Sequence, residues 1–200
     1  LSYPAWTEQV AEQAEILFHK GLYQQALDAM EKAVPSATGE ASFKLFYRIQ
    51  ETRGLLFRYG EAAQALYDST PPTENHSKAR WLLLRADMGR QYLKQYAHQM
   101  PADAQPGVKD ISKWTADQWR TRIAGDYLAL LPLRESALAQ ELANENYFVA
   151  VQDTDLEKIP TLWDFAVSRW TDYLLNESGD SERPDPLDWI DKPFVSDLSA

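Results

Sequence analysis

The histidines are the side chains in this chain best suited to proton transfer or metal binding near neutral pH. His19, His76 and His98 are far apart in the sequence, and none lies in an HExxH motif or another ligand spacing. A histidine without such a partner pattern is typical of a helix end or a solvated surface. We therefore interpret all three as surface residues and assign none of them a metal.

Paired carboxylates and nucleophiles are the other route to chemistry. Asp153 with Asp155, and Asp180 with Glu182, have the side chains of general acids and bases, but both pairs lie in polar segments typical of solvated loops. The chain has no cysteine, no GxSxG motif and only 8 glycines, without a Gly-rich phosphate loop. The sequence therefore predicts no catalytic, cofactor-binding or metal-binding residue, and no stand-alone enzyme.

The 7 tryptophans raise a binding hypothesis, because exposed indole rings can stack on sugars. Trp119, Trp163 and Trp170 fall at or beside the apolar positions of predicted helices, which favours core packing. The sequence leaves Trp6 and Trp81 open. A glycan-binding helical lipoprotein would need at least two exposed, coplanar tryptophan rings.

Charge and hydropathy exclude several classes of partner. The formal net charge of −10 disfavours nucleic acids and anionic membrane surfaces, which are bound by basic faces. No stretch approaches the roughly 20 apolar residues of a membrane-spanning helix, so we expect no direct span. The chain begins Leu-Ser-Tyr-Pro without an apolar signal segment, so a signal or lipid anchor could precede it.

Hydrophobic periodicity predicts an all-α fold. Apolar residues recur at steps of three and four through most of the chain, and Gly21 and Pro35 mark helix ends. Thr115 and Thr161 each have the spacing of a capping box. The predicted segments are a helix ending at Gly21, a helix ending at Pro35, one long helix over 41–59, and helices over 77–96, 115–131, 134–143 and from Thr161 onwards; residues 147–151 could pair as a short strand.

A recurring pattern links the first two pairs of helices. The eleven residues from Leu17 to Leu27 resemble the middle of a tetratricopeptide repeat (TPR), in which a glycine turns the chain and an alanine lets two helices pack closely. Residues Leu56 to Leu66 repeat the pattern, with Gly60 opposite Gly21 at an offset of 39 residues. The repeat predicts TPR-like antiparallel hairpins.

These elements predict a domain layout in four parts. TPR-like hairpins occupy residues 1–98, and a linker follows over 99–112, where prolines, a glycine and acidic residues interrupt the pattern. A second small helical bundle occupies 113–176. Residues 177–200 are rich in Gly, Ser, Asp and Pro, and we interpret them as a connector towards a region downstream.

One segment resembles a known family. Residues Ile159 to Tyr173 are similar to a signature in the N-terminal helical region of large bacterial alpha-2-macroglobulin-like proteins, which reads approximately Pro-Thr-Leu-Tyr-Asp-Phe-Leu-Ala-His-Arg-Ala-Leu-Asp-Phe. A helical hairpin with a glycine before an Ala-Leu pair, and a Trp-containing stretch before the middle helix, also fit that region. The agreeing residues are Pro160, Thr161, Leu162, Asp164, Phe165, Arg169 and Asp172, while Trp163 replaces Tyr and Ser168 replaces His.

The resemblance implies a context rather than a reaction. It covers a helical accessory region, and the family's Cys-containing thioester cannot lie in a chain without cysteine. It implies a non-catalytic structural and interaction module of a protease inhibitor that is exported to the periplasm or cell surface. The implied partners are other domains of the same longer chain, and proteases or envelope proteins. The alternatives are an independent TPR-like peptide-binding adaptor and the glycan-binding lipoprotein.

Overall fold

The fold is all-α, as predicted. The computed structural model describes residues 4–37, 39–104, 107–145 and 154–178. These residues contain no strand, and their one isolated bridge joins Glu141 to Thr161. The helices are α1 (Pro4–His19), α2 (Tyr23–Ala33), α3 (Gly39–Leu55), α4 (Tyr59–Asp68), α5 (Asn75–Tyr96), α6 (Ala116–Leu128), α7 (Arg134–Leu138) and α8 (Leu162–Asn176).

The turn between α1 and α2 is a Schellman motif centred on Gly21. Gly21 has a φ of 75°, in the left-handed region that glycine adopts without strain. Its N–H donates to the Phe18 carbonyl at 2.9 Å, and the N–H of Leu22 donates to the Leu17 carbonyl at 3.0 Å. These bonds satisfy carbonyls at the end of α1. The glycine therefore turns the chain as the sequence predicts.

The turn between α3 and α4 repeats this geometry without a glycine. Phe57 occupies the left-handed position, with a φ of 61°. Its N–H donates to the Gly54 carbonyl at 2.9 Å, and the N–H of Arg58 donates to the Arg53 carbonyl at 2.8 Å. The predicted single helix over 41–59 is therefore wrong, because α3 ends at Leu55.

The structural repeat runs in a different register from the sequence repeat. Phe57 follows Gly21 by 36 residues, and α4 begins 36 residues after α2. Gly60, which the offset of 39 places opposite Gly21, lies inside α4. The buried residues agree with the shorter period, as Ala26, Leu27 and Met30 of α2 correspond to Ala62, Ala63 and Leu66 of α4.

Helix α5 lies at the centre of the larger of two hydrophobic clusters. That cluster includes buried residues from Phe43 to Tyr173, whereas a smaller one holds the α1–α2 hairpin against Leu45 and Ile49 of α3. Helix α6 packs closely on α5, since a Cβ added at Gly89 would lie 3.0 Å from a side-chain carbon of Ile123. The described part of residues 99–112 therefore connects two helices that share one core.

Both predicted capping boxes are present. Thr115 accepts from the backbone N–H of Gln118, whose side chain accepts from the N–H of Thr115. Thr161 and Asp164 make the same reciprocal pair at the start of α8. These caps satisfy helix N–H groups that lack intrahelical partners. They fix where α6 and α8 begin.

The segment between these two helices departs from the prediction. Helix α6 ends at Leu128, so Leu131 lies in a following 3₁₀ turn and not on the helical stripe. The helix expected over 134–143 is limited to α7, and a second 3₁₀ turn follows at Leu142–Asn144. Residues 147–151, the possible strand, lie outside the described residues. The chain returns to α8 through backbone bonds around the Glu141–Thr161 bridge.

Candidate functional site

The histidines lie apart in the structure. His19 ends α1 and sits 3.5 Å from a carboxylate oxygen of Glu15, His76 lies in the first turn of α5, and His98 contacts Gln99 in a 3₁₀ turn. All three are exposed, as the sequence indicates. Among the described residues, no group of three or more histidines or acids is placed to hold a metal ion.

The acid pairs are only partly described. Asp155 forms an ion pair with Lys158 at 2.8 Å, and its side chain is about half exposed. Asp153, Asp180 and Glu182 lie outside the described residues. The structure therefore brings Asp155 together with a surface lysine.

The described tryptophans pack inward. Trp119 and Trp163 are buried, which confirms their predicted core positions, and Trp170 is half-buried and stacked on Tyr127 at 6.0 Å between ring centroids. Trp81, which the sequence left open, is also buried. The side chain of Trp6 lies outside the described part. No exposed coplanar pair of tryptophan rings occurs among the described residues, so the glycan hypothesis gains no support from them.

An open groove lies between α3, the segment joining α4 to α5, and the start of α5. Its cavity volume is about 380 Å³. Aromatic rings form its apolar part, and hydroxyl groups and an extended segment form its polar part. The lining residues are Gly39, Ser42, Phe43, Phe46, Ser69, Thr70, Pro72, Thr73, Glu74, Ser77 and Trp81.

The walls of the groove are held by hydrogen bonds and ion pairs behind them. The indole N–H of Trp81 donates to the Ser69 hydroxyl at 3.1 Å, which ties α5 to the end of α4. Arg80, only 1% exposed, donates to both carboxylate oxygens of Glu40 at 2.7 and 2.8 Å. Its guanidinium lies 4.7 Å from the centre of the Phe43 ring. The groove is therefore preformed by the packing of α3 on α5.

Arg80 also joins the groove wall to a distant segment. Its guanidinium donates to Glu145 at 3.3 Å, and that residue is itself buried. The hydrogen bond from Arg80 holds the pKa of Glu40 below its usual value. The buried positive charge of Arg80 is tolerated because the carboxylates of Glu40 and Glu145 pair with it. Arg80 therefore fixes the first turn of α3 against both α5 and residue 145.

A second network lies further along α5 and holds α8. Arg90 donates to Glu177 at 2.8 Å and to the backbone carbonyl of Arg169 at 3.2 Å, and it also pairs with Asp172. The guanidinium of Arg169 bonds Asp87 at 2.9 Å. Burial raises the pKa of Asp87 although Arg169 opposes that shift. Two of the residues that carry the family resemblance, Arg169 and Asp172, therefore hold α8 on α5.

The other resemblance residues also have structural positions. Thr161 and Asp164 form the cap of α8, and Leu162 is fully buried beneath it. Backbone bonds from Leu142 to Pro160 and from Leu162 to Gln140 attach the start of α8 to the preceding segment. The described signature is therefore a helix that packs on the core.

No protein-family model, curated protein or solved structure matches this chain.

The groove was missed by reasoning from the sequence, because its walls come from three separate segments. Phe43 reads as an ordinary core position in its own helix, and the sequence leaves Trp81 open. The prolines at 71 and 72 carry the one local signal, since they force an extended connection after α4.

The described helices have a further property in common. None of them is both long enough and apolar enough to cross a membrane.

Proposed function

We propose that this chain is a non-catalytic helical interaction module, and that the groove between α3 and the α4–α5 segment is its docking surface. The observation that carries the proposal is the open, preformed cavity of about 380 Å³ with aromatic and hydroxyl lining. Apolar pockets with a few polar groups are the usual form of a binding site. Because the walls are held by Arg80 and Trp81, a partner would bind without first ordering them.

The module belongs, in this proposal, to a longer exported protein of the alpha-2-macroglobulin-like class. The support is the sequence signature over residues 159–173, whose described residues cap α8 and hold it on α5. A helical unit of this kind would act as a spacer and as a dock for other domains of the same chain, or for a protease or envelope protein. The whole protein would lie in the periplasm or on the cell surface.

The second candidate is a free-standing adaptor that uses the same groove. The observation that favours it is the 36-residue recurrence of the Schellman turn and of the buried positions in α2 and α4. Regular recurrence of a helical hairpin is typical of repeat proteins that bind peptides. The two candidates differ in the size and location of the native polypeptide.

A site-specific crosslinking experiment tests the docking surface. A photoreactive phenylalanine analogue replaces Ser77 in the groove or, as the matched control, exposed Lys94 on the same helix. We expect the native protein to form a discrete crosslinked product from position 77 and none from position 94. Equal products from positions 77 and 94 would exclude the groove as the docking surface.

The size of the native polypeptide separates the two candidates. An antibody against this chain should detect, in the envelope fraction of the source cells, a band many times heavier than 22.9 kDa. A native polypeptide close to 22.9 kDa, or one found in the cytoplasm, would refute the macroglobulin-like context and favour the adaptor.

A further inference from the structure

The groove has an electrostatic preference that its lining residues define. Glu74 is its one charged lining residue, and its carboxylate is exposed at the rim. Glu40 lies nearby, but its charge is matched by Arg80. The chain as a whole has a net charge of −10, so its long-range field also attracts cations. Charge complementarity therefore favours a positively charged occupant.

The extended segment along the rim offers acceptors. The carbonyls of residues 70–73 accept no hydrogen bond from the described backbone, and the prolines at 71 and 72 have no N–H to donate. Ser69 and Glu74 both have extended backbone angles, and the chain bends at residues 69, 73 and 74. An edge of free carbonyls is matched by an occupant that supplies N–H donors, as an extended polypeptide does.

The inner part of the groove is apolar. Phe43 and Trp81 are buried, and each already has an arginine over its ring, Arg80 at 4.7 Å and Arg85 at 4.1 Å. Half-buried Phe46 completes this surface. The cavity therefore has room for an aliphatic or aromatic side chain against the rings, beside the carboxylate at the rim.

We infer that the groove takes a short extended segment of a partner polypeptide in which an apolar side chain is next to a lysine or arginine. The apolar side chain lies against Phe46 and Trp81, the cation pairs with Glu74, and the segment's N–H groups bond the carbonyls of residues 70–73. This inference rests on the proposed function, and it adds the chemistry of the partner.

The test uses the full chain and three blocked hexapeptides. One alternates leucine with lysine, one alternates leucine with glutamate, and one alternates serine with lysine. Amide chemical shifts in NMR spectra locate each peptide and give its affinity. We expect the Leu/Lys peptide to shift the amides of Ser42, Thr73 and Ser77, and to bind at least about tenfold more tightly than the other two. A Leu/Glu peptide that binds the groove as tightly would overturn the inference.

A pair of matched variants tests the role of the carboxylate at the rim. Glu74→Gln should weaken the Leu/Lys peptide about threefold, the range that partly exposed ion pairs give. Glu61→Gln removes another exposed acid, which lies on α4 outside the groove, and should leave the affinity unchanged. Equal losses from both variants would show only non-specific attraction to an acidic chain, and the inference would be wrong.

Failure of this inference is distinguishable from failure of the proposed function. If no peptide shifts the groove amides, the stated peptide chemistry is refuted, whereas crosslinking from position 77 still reports whether the groove docks a partner. If the crosslink from position 77 is absent as well, the docking function is refuted together with it.

Discussion

Exchanging the residues at the two left-handed turn positions should change stability in opposite directions. Phe57 has a φ of 61° where its structural counterpart, Gly21, has a φ of 75°. Left-handed backbone costs an L-residue about 1–2 kcal/mol, and glycine is exempt. Glycine loses about 0.5–1 kcal/mol more backbone entropy on folding than other residues. The difference leaves about 0.5–1 kcal/mol in favour of glycine at each turn.

The surroundings of both residues keep other contributions small. The Phe57 side chain is 76% exposed, and its described ring contact is an edge-on one with Tyr59 at 6.3 Å between centroids. No heavy atom lies within 4 Å of a Cβ placed on Gly21, so a new side chain there enters open space. Phe57→Gly should therefore stabilise the fold by about 0.5–1 kcal/mol, and Gly21→Phe should destabilise it by a similar amount.

Urea unfolding followed by circular dichroism measures both effects. We expect opposite shifts of the transition midpoint with an unchanged slope, because neither variant alters the surface exposed on unfolding by much. The double exchange should return the midpoint close to that of the parent chain. A Phe57→Gly variant that is less stable than the parent, with Gly21→Phe unchanged, would refute the assignment of strain to Phe57.

Three further predictions concern α5 and its partners. Gly89→Ala should change stability by about 0–2 kcal/mol in the destabilising direction, because crowding of the new Cβ, 3.0 Å from Ile123, costs about 1–3 kcal/mol and the gain in helix propensity offsets about 1 kcal/mol. Gly125→Ala, which meets open space, is the control in the same unfolding assay and should be the more stable of the two variants. Arg90→Met should lower the free energy of unfolding by about 2–3 kcal/mol. This loss is smaller than that for breaking a fully buried ion pair, because the acidic partners of Arg90 keep access to water. Limited proteolysis of the variant should then cut near α8. The lowered pKa of Glu40 gives stability that is present above the ordinary pKa of 4.5 and is lost as the pH falls through the pKa of the folded state. Glu40→Gln should therefore be less stable than the parent at pH 7 and nearly as stable at acidic pH. A stability difference that does not change with pH would contradict this.

Local features of the sequence determined the helices and several of their ends. The Thr115 and Thr161 caps follow from residues three apart, and the glycine turn at Gly21 follows from one residue type next to a helix end. Such interactions join neighbours in the chain, so their partners can be read from spacing alone. The all-α class follows for the same reason, because helical periodicity is a local property.

The second hairpin shows where local reasoning ends. By residue type, Gly60 is the favoured position for a left-handed turn and Phe57 is not. In the structure the left-handed residue is Phe57, and Gly60 lies inside α4. The packing of α4 against α5 buries Ala62, Ala63 and Leu66 and so determines where α4 begins. Burial of three side chains outweighs about 1 kcal/mol of backbone strain.

The groove and the charge networks depend on tertiary structure alone. Arg80 bonds Glu145 across 65 residues, and Arg90 bonds Glu177 across 87. No spacing rule relates such partners, because each pair meets only after several helices have packed in a particular order. The sequence determined which helices form and which faces are apolar, whereas the packing order of those helices decided which charges are neutralised and where an open surface remains.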